Sequence, residues 1–270
     1  MVDAWPQHLF MVGCGNMAGQ MLSRWLACGL DPASVTVLRP SGKPVAPGVE
    51  VITHFPARLP DGTALILGMK PHQFENVAAE LAKVAGTSTM FISILAGTTA
   101  AQLRAALPKG ANIVRVMPNT PVGVGQGVCA LYADELTELA TRSAAEALMR
   151  PLGLAEWIAD EAQFNLVTAL SGCGPAYLFR FIDALGIAAA RLGLPEDQAA
   201  RLALATVRGA STLAVEAGES PGILADRVAS PGGMTREGMN VLDAGESLIS
   251  LLTETLRAAR DRGEEMARKA

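Results

Sequence analysis

Short apolar runs recur through the first part of the chain, separated by stretches of helical period. Residues 9–12 (Leu-Phe-Met-Val), 35–38, 64–67, 90–94 and 112–117 are nearly unbroken apolar segments, the pattern of strands buried on both faces. Segments 128–132 and 156–159 continue the series. Between the runs, residues 17–30, 74–85 and 99–107 place apolar side chains at helical spacing. Strand and helix in alternation predict an α/β fold built on a mostly parallel, doubly wound sheet. Beyond about residue 160 the strand signal stops, and residues 175–192, 195–217 and 238–267 read as long helices. The second of these has Pro195 near its first turn, where a missing N–H is tolerated. From 199 to 215 it is apolar or small almost all round, interrupted mainly by Arg201 and Arg208, so it needs partners on several sides. The expected organisation is a Rossmann-type domain over residues 1–159 followed by an all-α domain over 160–270 that mediates dimerisation.

The first run stops at Gly13-Cys14-Gly15-Asn16-Met17-Ala18. Gly13 permits a tight turn, Gly15 lets the backbone approach a pyrophosphate, and Ala18 is small enough for a helix to pack on the strand. The phosphates would then meet N–H groups at the helix start. Such a turn is a weak signal alone; here a strand precedes it, a helix follows, and a second strand completes the βαβ unit. That second strand is followed by Arg39-Pro40-Ser41-Gly42-Lys43, where an enzyme using NAD usually carries a carboxylate for the ribose 2′-hydroxyl. Arg39 and Ser41 instead suit a 2′-phosphate, and the expected cofactor is NADPH, with NADH the weaker alternative.

Ligands of such sheets lie beyond the carboxyl ends of the strands, which directs attention to three loops. They are Gly68-Met69-Lys70-Pro71-His72, Leu95-Ala96-Gly97-Thr98 and Pro118-Asn119-Thr120-Pro121. In the last, the two prolines stiffen the backbone around Asn119, although Pro and Asn also serve in ordinary turns. A second glycine-rich segment, Ser230-Pro231-Gly232-Gly233-Met234-Thr235, suits a small anion, because glycines expose N–H groups ahead of a helix. The alternative there is a helix-start turn capped by Ser230.

Half of the 270 residues are hydrophobic, 18% are charged, and the net charge is -4. That balance, with no basic stripe, speaks against nucleic acid as a partner. Cys14, Cys28, Cys129 and Cys173 lack Cys-x-x-Cys spacing, and His8, His54 and His72 do not complete a metal set. The N-terminal residues show no export signal, and the apolar stretches look too interrupted to reach the roughly 20 residues a bilayer span needs. A cytoplasmic protein without membrane contact is expected.

Taken together, Gly13-x-Gly15-x-Met17-Ala18, Lys70-Pro71, Ala96-Gly97, Met117 to Pro121, Ser171-Gly172-Cys173-Gly174-Pro175-Ala176-Tyr177 and Ser230 to Thr235 resemble the pyrroline-5-carboxylate reductase family, nearly end to end. The resemblance implies reduction of 1-pyrroline-5-carboxylate to L-proline with NAD(P)H, the last step of proline biosynthesis. It also implies a helical domain interlocked with a second subunit, a homodimer that in the family often assembles further into a decamer. By matching positions it implies that Met69, Lys70, Pro71, Leu95, Ala96, Gly97 and Asn119 border the nicotinamide end. Glu161, Ser171, Ser230, Gly232, Gly233 and Met234 would surround the substrate, with Thr235 as donor to its ring nitrogen. Glu161 could equally be a surface charge, and Ser171 could simply set a helix start. Cys173 stands where many members have Ser, and Arg227 where some have Asn near the cofactor. A non-enzymatic NADP-binding sensor or partner-binding protein descended from such a reductase is the competing expectation. A β-hydroxyacid-type dehydrogenase shares the plan but needs a catalytic lysine in its helical domain, and no lysine occurs between Gly153 and Arg268.

Overall fold

A computed structural model describes residues 5–269. The chain divides into two compact units, one reaching Cys173 and resuming at Ala259, the other covering Gly174–Ala258. The division expected from sequence lies at 159/160; residues 160–173 fall with the first unit.

In the first unit, strands β1 (Leu9–Val12), β2 (Val35–Leu38), β3 (Glu50–Ile52), β4 (Ala64–Leu67), β5 (Met90–Ser93), β6 (Asn112–Pro118), β7 (Gly127–Tyr132) and β8 (Gly153–Trp157) form one sheet in the order β3-β2-β1-β4-β5-β6-β7-β8. All neighbours pair in parallel except β6 with β7. Alternate side chains of each strand feed opposite faces. Leu9, Met11, Ile66, Ile92 and Val116 pack with Met21, Leu22 and Trp25 of α1 (Asn16–Ala27). Phe10, Leu65, Phe91 and Ile113 pack on the other face with Phe74 and Leu81 of α2 (Phe74–Val84) and Leu103 of α3 (Ala100–Ala106). Helix α4 (Leu139–Met149) joins α1 on its face, where Trp25 Nε1 donates to the Leu148 carbonyl at 2.8 Å. The sheet is thus covered on both sides, as the unbroken apolar strands require.

Two elements of this unit escape the sequence pattern. Strand β3 has only three residues, none of them buried, and α4 follows the antiparallel strand that closes the parallel series. The last strand begins at Gly153 rather than at 156. After β8 the chain forms α5 (Phe164–Val167) and a π-helical turn, Thr168–Gly172.

The second unit holds α6 (Gly174–Arg191), α7 (Glu196–Ala217), α8 (Pro221–Val228), α9 (Met234–Asp243) and the start of α10 (Ser247–Lys269). The single helix expected over 238–267 is corrected to two, because Gly245 (φ 60°) and Glu246 (φ 55°) are left-handed and cannot continue a right-handed helix. Only Gly186 of α6 and Ala199 and Ala203 of α7 are buried. Phe179 remains 65% exposed and Leu204 58%. The continuous helical run from Glu161 to Arg191 is long and apolar enough, by length and composition, to cross a membrane. The expectation that no stretch reaches that length is therefore corrected; scattered small, aromatic and charged residues interrupt the run without making it polar on average.

Candidate active site

The strand order reverses at β1, which has β2 on one side and β4 on the other. At that reversal the loops after β1 and β4 cross closely. Gly13 N donates to the Leu38 carbonyl and Gly68 N to the Val12 carbonyl, both at 2.9 Å. Gly13 has φ +83°, and a Cβ there would lie 3.0 Å from the Met69 backbone; one on Gly68 would lie 3.0 Å from Ala18 Cβ. Gly15 differs, since its φ is −79° and a Cβ on it would meet nothing within 4 Å. It is the N-cap of α1, with no side-chain cap and no acidic residue in the first turn. Above this turn opens a cleft of about 1130 Å³ lined by Gly13, Cys14, Gly15, Asn16, Met17, Ala18, Arg39, Ser41, Met69 and Lys70. Ten of the residues expected from sequence therefore share one wall system.

At one end of the cleft, Arg39 and Ser41 follow β2. Thr53 and His54, which sequence reasoning missed, follow β3 beside them. Arg39 N donates to the Ile52 carbonyl at 3.0 Å, and the Thr53 hydroxyl shares a hydrogen bond of 2.9 Å with His54 Nδ1. Burial pushes the Cys14 thiol up from its ordinary pKa, and the nearby Arg39 charge opposes that rise. The fit to a dinucleotide rests on observation: close backbone crossing, open space over Gly15, unblocked helix-start amides and a cation rather than a carboxylate after β2.

The next loops divide their residues. Ile94 lines the cleft, whereas Leu95 is buried, Ala96 is exposed, and Gly97 lies against α10, where its Cβ would be 3.9 Å from the Ala267 backbone. Pro71 borders a separate cavity of about 760 Å³ with Thr98 and Met266. Asn119, 6% exposed, is engaged inside the protein: its Nδ2 donates to the Ser171 carbonyl at 2.9 Å and its Oδ1 accepts from Val128 N at 2.8 Å. The Ser171 hydroxyl donates to the Val167 carbonyl at 2.8 Å. Glu161 is engaged as well. Its Oε1 accepts from Ala100 N at 2.6 Å and from Arg115 Nη1, a buried residue the sequence reading passed over. Arg115 was concealed because it interrupts an apolar strand at a single position.

In the helical unit, Gly233 N donates to the Ser230 carbonyl at 3.0 Å across Pro231 and Gly232. Gly232 has φ +71°, and proline followed by a left-handed glycine is the signature of a type II turn. The N-cap of α9 is Gly233, again without a side-chain cap, so the cap role considered for Ser230 is not the one it takes. Met234 and Thr235 open the helix, and both are exposed. Arg236 anchors this turn by donating to Asp226 Oδ1 at 2.9 Å.

A glycine-lined cleft at the reversal of a parallel sheet, joined in one chain to an apolar helical unit, defines a Rossmann-type, pyridine-nucleotide-dependent oxidoreductase. Comparison with known proteins narrows the class. The family model described as pyrroline-5-carboxylate reductase dimerisation matches residues 161–266. A pyrroline-5-carboxylate reductase of Pseudomonas aeruginosa is 33% identical over 265 residues, covering 96% of this chain and 97% of that protein. The structure of a pyrroline-5-carboxylate reductase from Coxiella burnetii superimposes with a TM-score of 0.86 at 33% identity, covering 97% and 99% of the two chains. That of the Plasmodium falciparum enzyme, with NADP bound, gives 0.81 at 25% identity over 96% and 98%. The chain belongs to the pyrroline-5-carboxylate reductase family.

Proposed function

We propose that this chain reduces 1-pyrroline-5-carboxylate to L-proline with NADPH, completing proline biosynthesis in the cytoplasm. The observation that carries the cofactor half is the cleft over Gly15, ending at Arg39 and Ser41. When bound, NADPH supplies the hydride for the imine carbon. The turn from Gly13 to Ala18 holds the pyrophosphate, and Arg39 and Ser41 pair with the 2′-phosphate, so that NADH is the poorer donor. Met69 and Lys70 border the nicotinamide ribose from the cleft wall, the loops carrying Pro71 and Leu95, Ala96 and Gly97 back them, and Asn119 orients that end by fixing its surrounding loop. Ser230, Gly232 and Met234 offer N–H groups to the substrate carboxylate, Gly233 closes the turn that presents them, and the start of α9 favours the carboxylate's charge. Thr235 donates to the ring nitrogen; its hydroxyl is a poor acid and acts by orienting and polarising the imine. Holding both reactants in register can contribute on the order of 7 kcal/mol or more to lowering the barrier.

Apolar side chains left open along α6 and α7 support a homodimer, able to assemble further into a decamer, rather than a membrane or nucleic-acid partner. A NADP-binding sensor would need neither Thr235 nor the Ser230–Gly233 turn. The test is turnover of 1-pyrroline-5-carboxylate, followed by loss of NADPH absorbance. Thr235→Ala should lower kcat about tenfold or more, about 1.4 kcal/mol in the barrier, while NADPH still binds. Absence of turnover in the wild-type protein overturns the proposal, and unchanged kcat in the variant removes Thr235 from it.

A further inference from the structure

We infer that Arg115 is a positioning residue, acting through Glu161 to hold the first turn of α3 and the segment 161–172 in fixed relation at the carboxyl edge of the sheet. Its kinetic readout rests on the reductase reading above.

Period-two alternation puts Ile113, Arg115 and Met117 on one face of β6. Ile113 belongs to the core beneath α2 and α3, and Met117 packs with Phe164. Arg115, between them, has a side chain only 5% exposed, in a position where an apolar residue would fit and a charge is expensive. Burial pulls its guanidinium below the ordinary arginine value, with Glu161 opposing that shift.

The arrangement around Arg115 shows what the charge accomplishes. One oxygen of Glu161 accepts from both Arg115 and Ala100 N. Ala100 is the first residue of α3, whose N-cap Thr99 spends its own hydroxyl oxygen on Gln102 N at 3.2 Å. The guanidinium also lies 4.0 Å from the centre of the Phe164 ring, a cation–π contact. Phe164 begins the segment that ends in Ser171, the acceptor for Asn119. Arg115 pairs with Ser93, the last residue of β5, so the cluster lies level with the start of the loop bearing Leu95, Ala96 and Gly97. Packing alone would be served by apolar residues, since replacing a buried ion pair in that way is often neutral. Apolar residues would leave the Ala100 N–H without its acceptor and the loop before α3 without its anchor. Glu161 Oε1 is accordingly both the counter-ion of Arg115 and the acceptor for Ala100 N.

Glu161→Ala, Glu161→Gln and Arg115→Met in the full chain test this, read by kcat, KM and amide hydrogen exchange over residues 94–103 and 161–172. Glu161→Ala and Arg115→Met should each lower kcat about tenfold with KM for NADPH within about twofold, and the double variant should be little worse than either. Exchange in both segments should accelerate. Glu161→Gln, which keeps an acceptor oxygen for Ala100 N but leaves the Arg115 charge unpaired, should fall between wild type and Glu161→Ala in both kcat and exchange. If Glu161→Gln instead raises the substrate KM about tenfold, or if Glu161→Ala changes neither kcat nor exchange, the inference is overturned. Should Arg115→Met fail to fold, Arg115→Gln, which removes the charge but stays polar, takes its place under the same criteria. A wild-type protein without turnover would sink the reductase reading, while the exchange results still decide this one.

Discussion

Gly13 and Gly15 sit two positions apart in one turn, yet alanine at each should act in opposite ways. Gly13 holds φ +83°, and its added Cβ would come within 3.0 Å of the Met69 backbone. A left-handed alanine costs about 1–2 kcal/mol, and the collision adds to it because backbone cannot swing aside as a side chain does. For a chain of this size each kcal/mol lowers Tm by about 2–4 °C, so Gly13→Ala should melt several degrees early. Gly15 holds φ −79° with nothing within 4 Å of the added methyl. Alanine is at ease there, and restricting the unfolded chain should stabilise by about 0.4–1 kcal/mol. The methyl projects, however, into the cleft where the proposed function puts the pyrophosphate. Crowding of that kind costs about 1–3 kcal/mol, a loss of roughly five- to 150-fold in NADPH affinity. The assay is thermal unfolding of each variant across a NADPH series, because a ligand raises stability by RT ln(1 + [L]/Kd). Gly15→Ala should melt at or above wild type without ligand and gain much less from NADPH. A full NADPH shift in Gly15→Ala would refute the pyrophosphate assignment, and early melting without ligand would refute the claim of open space.

Arg39→Asp should weaken NADPH selectively, since a carboxylate repels the 2′-phosphate; equal losses in kcat/KM with NADPH and NADH would remove the assignment. Leu204→Asp, on the exposed apolar side of α7, should dissociate the homodimer and abolish turnover, because a charge left unpaired in an interface costs several kcal/mol. Sedimentation of the wild-type protein as an active monomer at about micromolar concentration counts against that. Burial pushes the Asp134 carboxyl up, but Arg104, which donates to both of its oxygens at 2.6 Å, and Thr137 together hold it below its ordinary value. The folded pKa is depressed, so the stabilisation is present above the unfolded value of about 3.9 and is lost as pH falls through the folded one. Tm should therefore drop on acidification below about pH 4 in the wild type, and Asp134→Asn should start lower at neutral pH and change less over that window; parallel curves for the two proteins would contradict the linkage.

What the sequence disclosed follows from range of interaction. Leu9–Val12 and Ala64–Leu67 are legible because every residue in them is buried, and Gly13, Gly15 and Ala18 because their constraint is local. Strand β3 and α8 carry no buried residue and are short, so no apolar period marks them. Thr53 and His54 reach Arg39 only through the pairing of β2 with β3, a register that composition does not announce. Asn119 stands out as a stiffened polar residue, but its acceptor Ser171 is 52 positions away. The same holds for Arg115 and Glu161, 46 positions apart, whose meeting depends on how the segment after β8 folds back over β6.

Helix α10 begins among the residues of the helical unit and ends in the sheet-bearing one, with Ala267 beside Gly97 and Gly263 beside Asn165. During synthesis the strands and the glycine turn leave the ribosome early, whereas these contacts wait until the intervening helices have been made. At about 5–20 residues per second the lag lasts several seconds or more. For that interval the nascent chain carries the glycine turn and a loop after β5 whose cover at Ala267 has yet to be translated, so the two mature at different times.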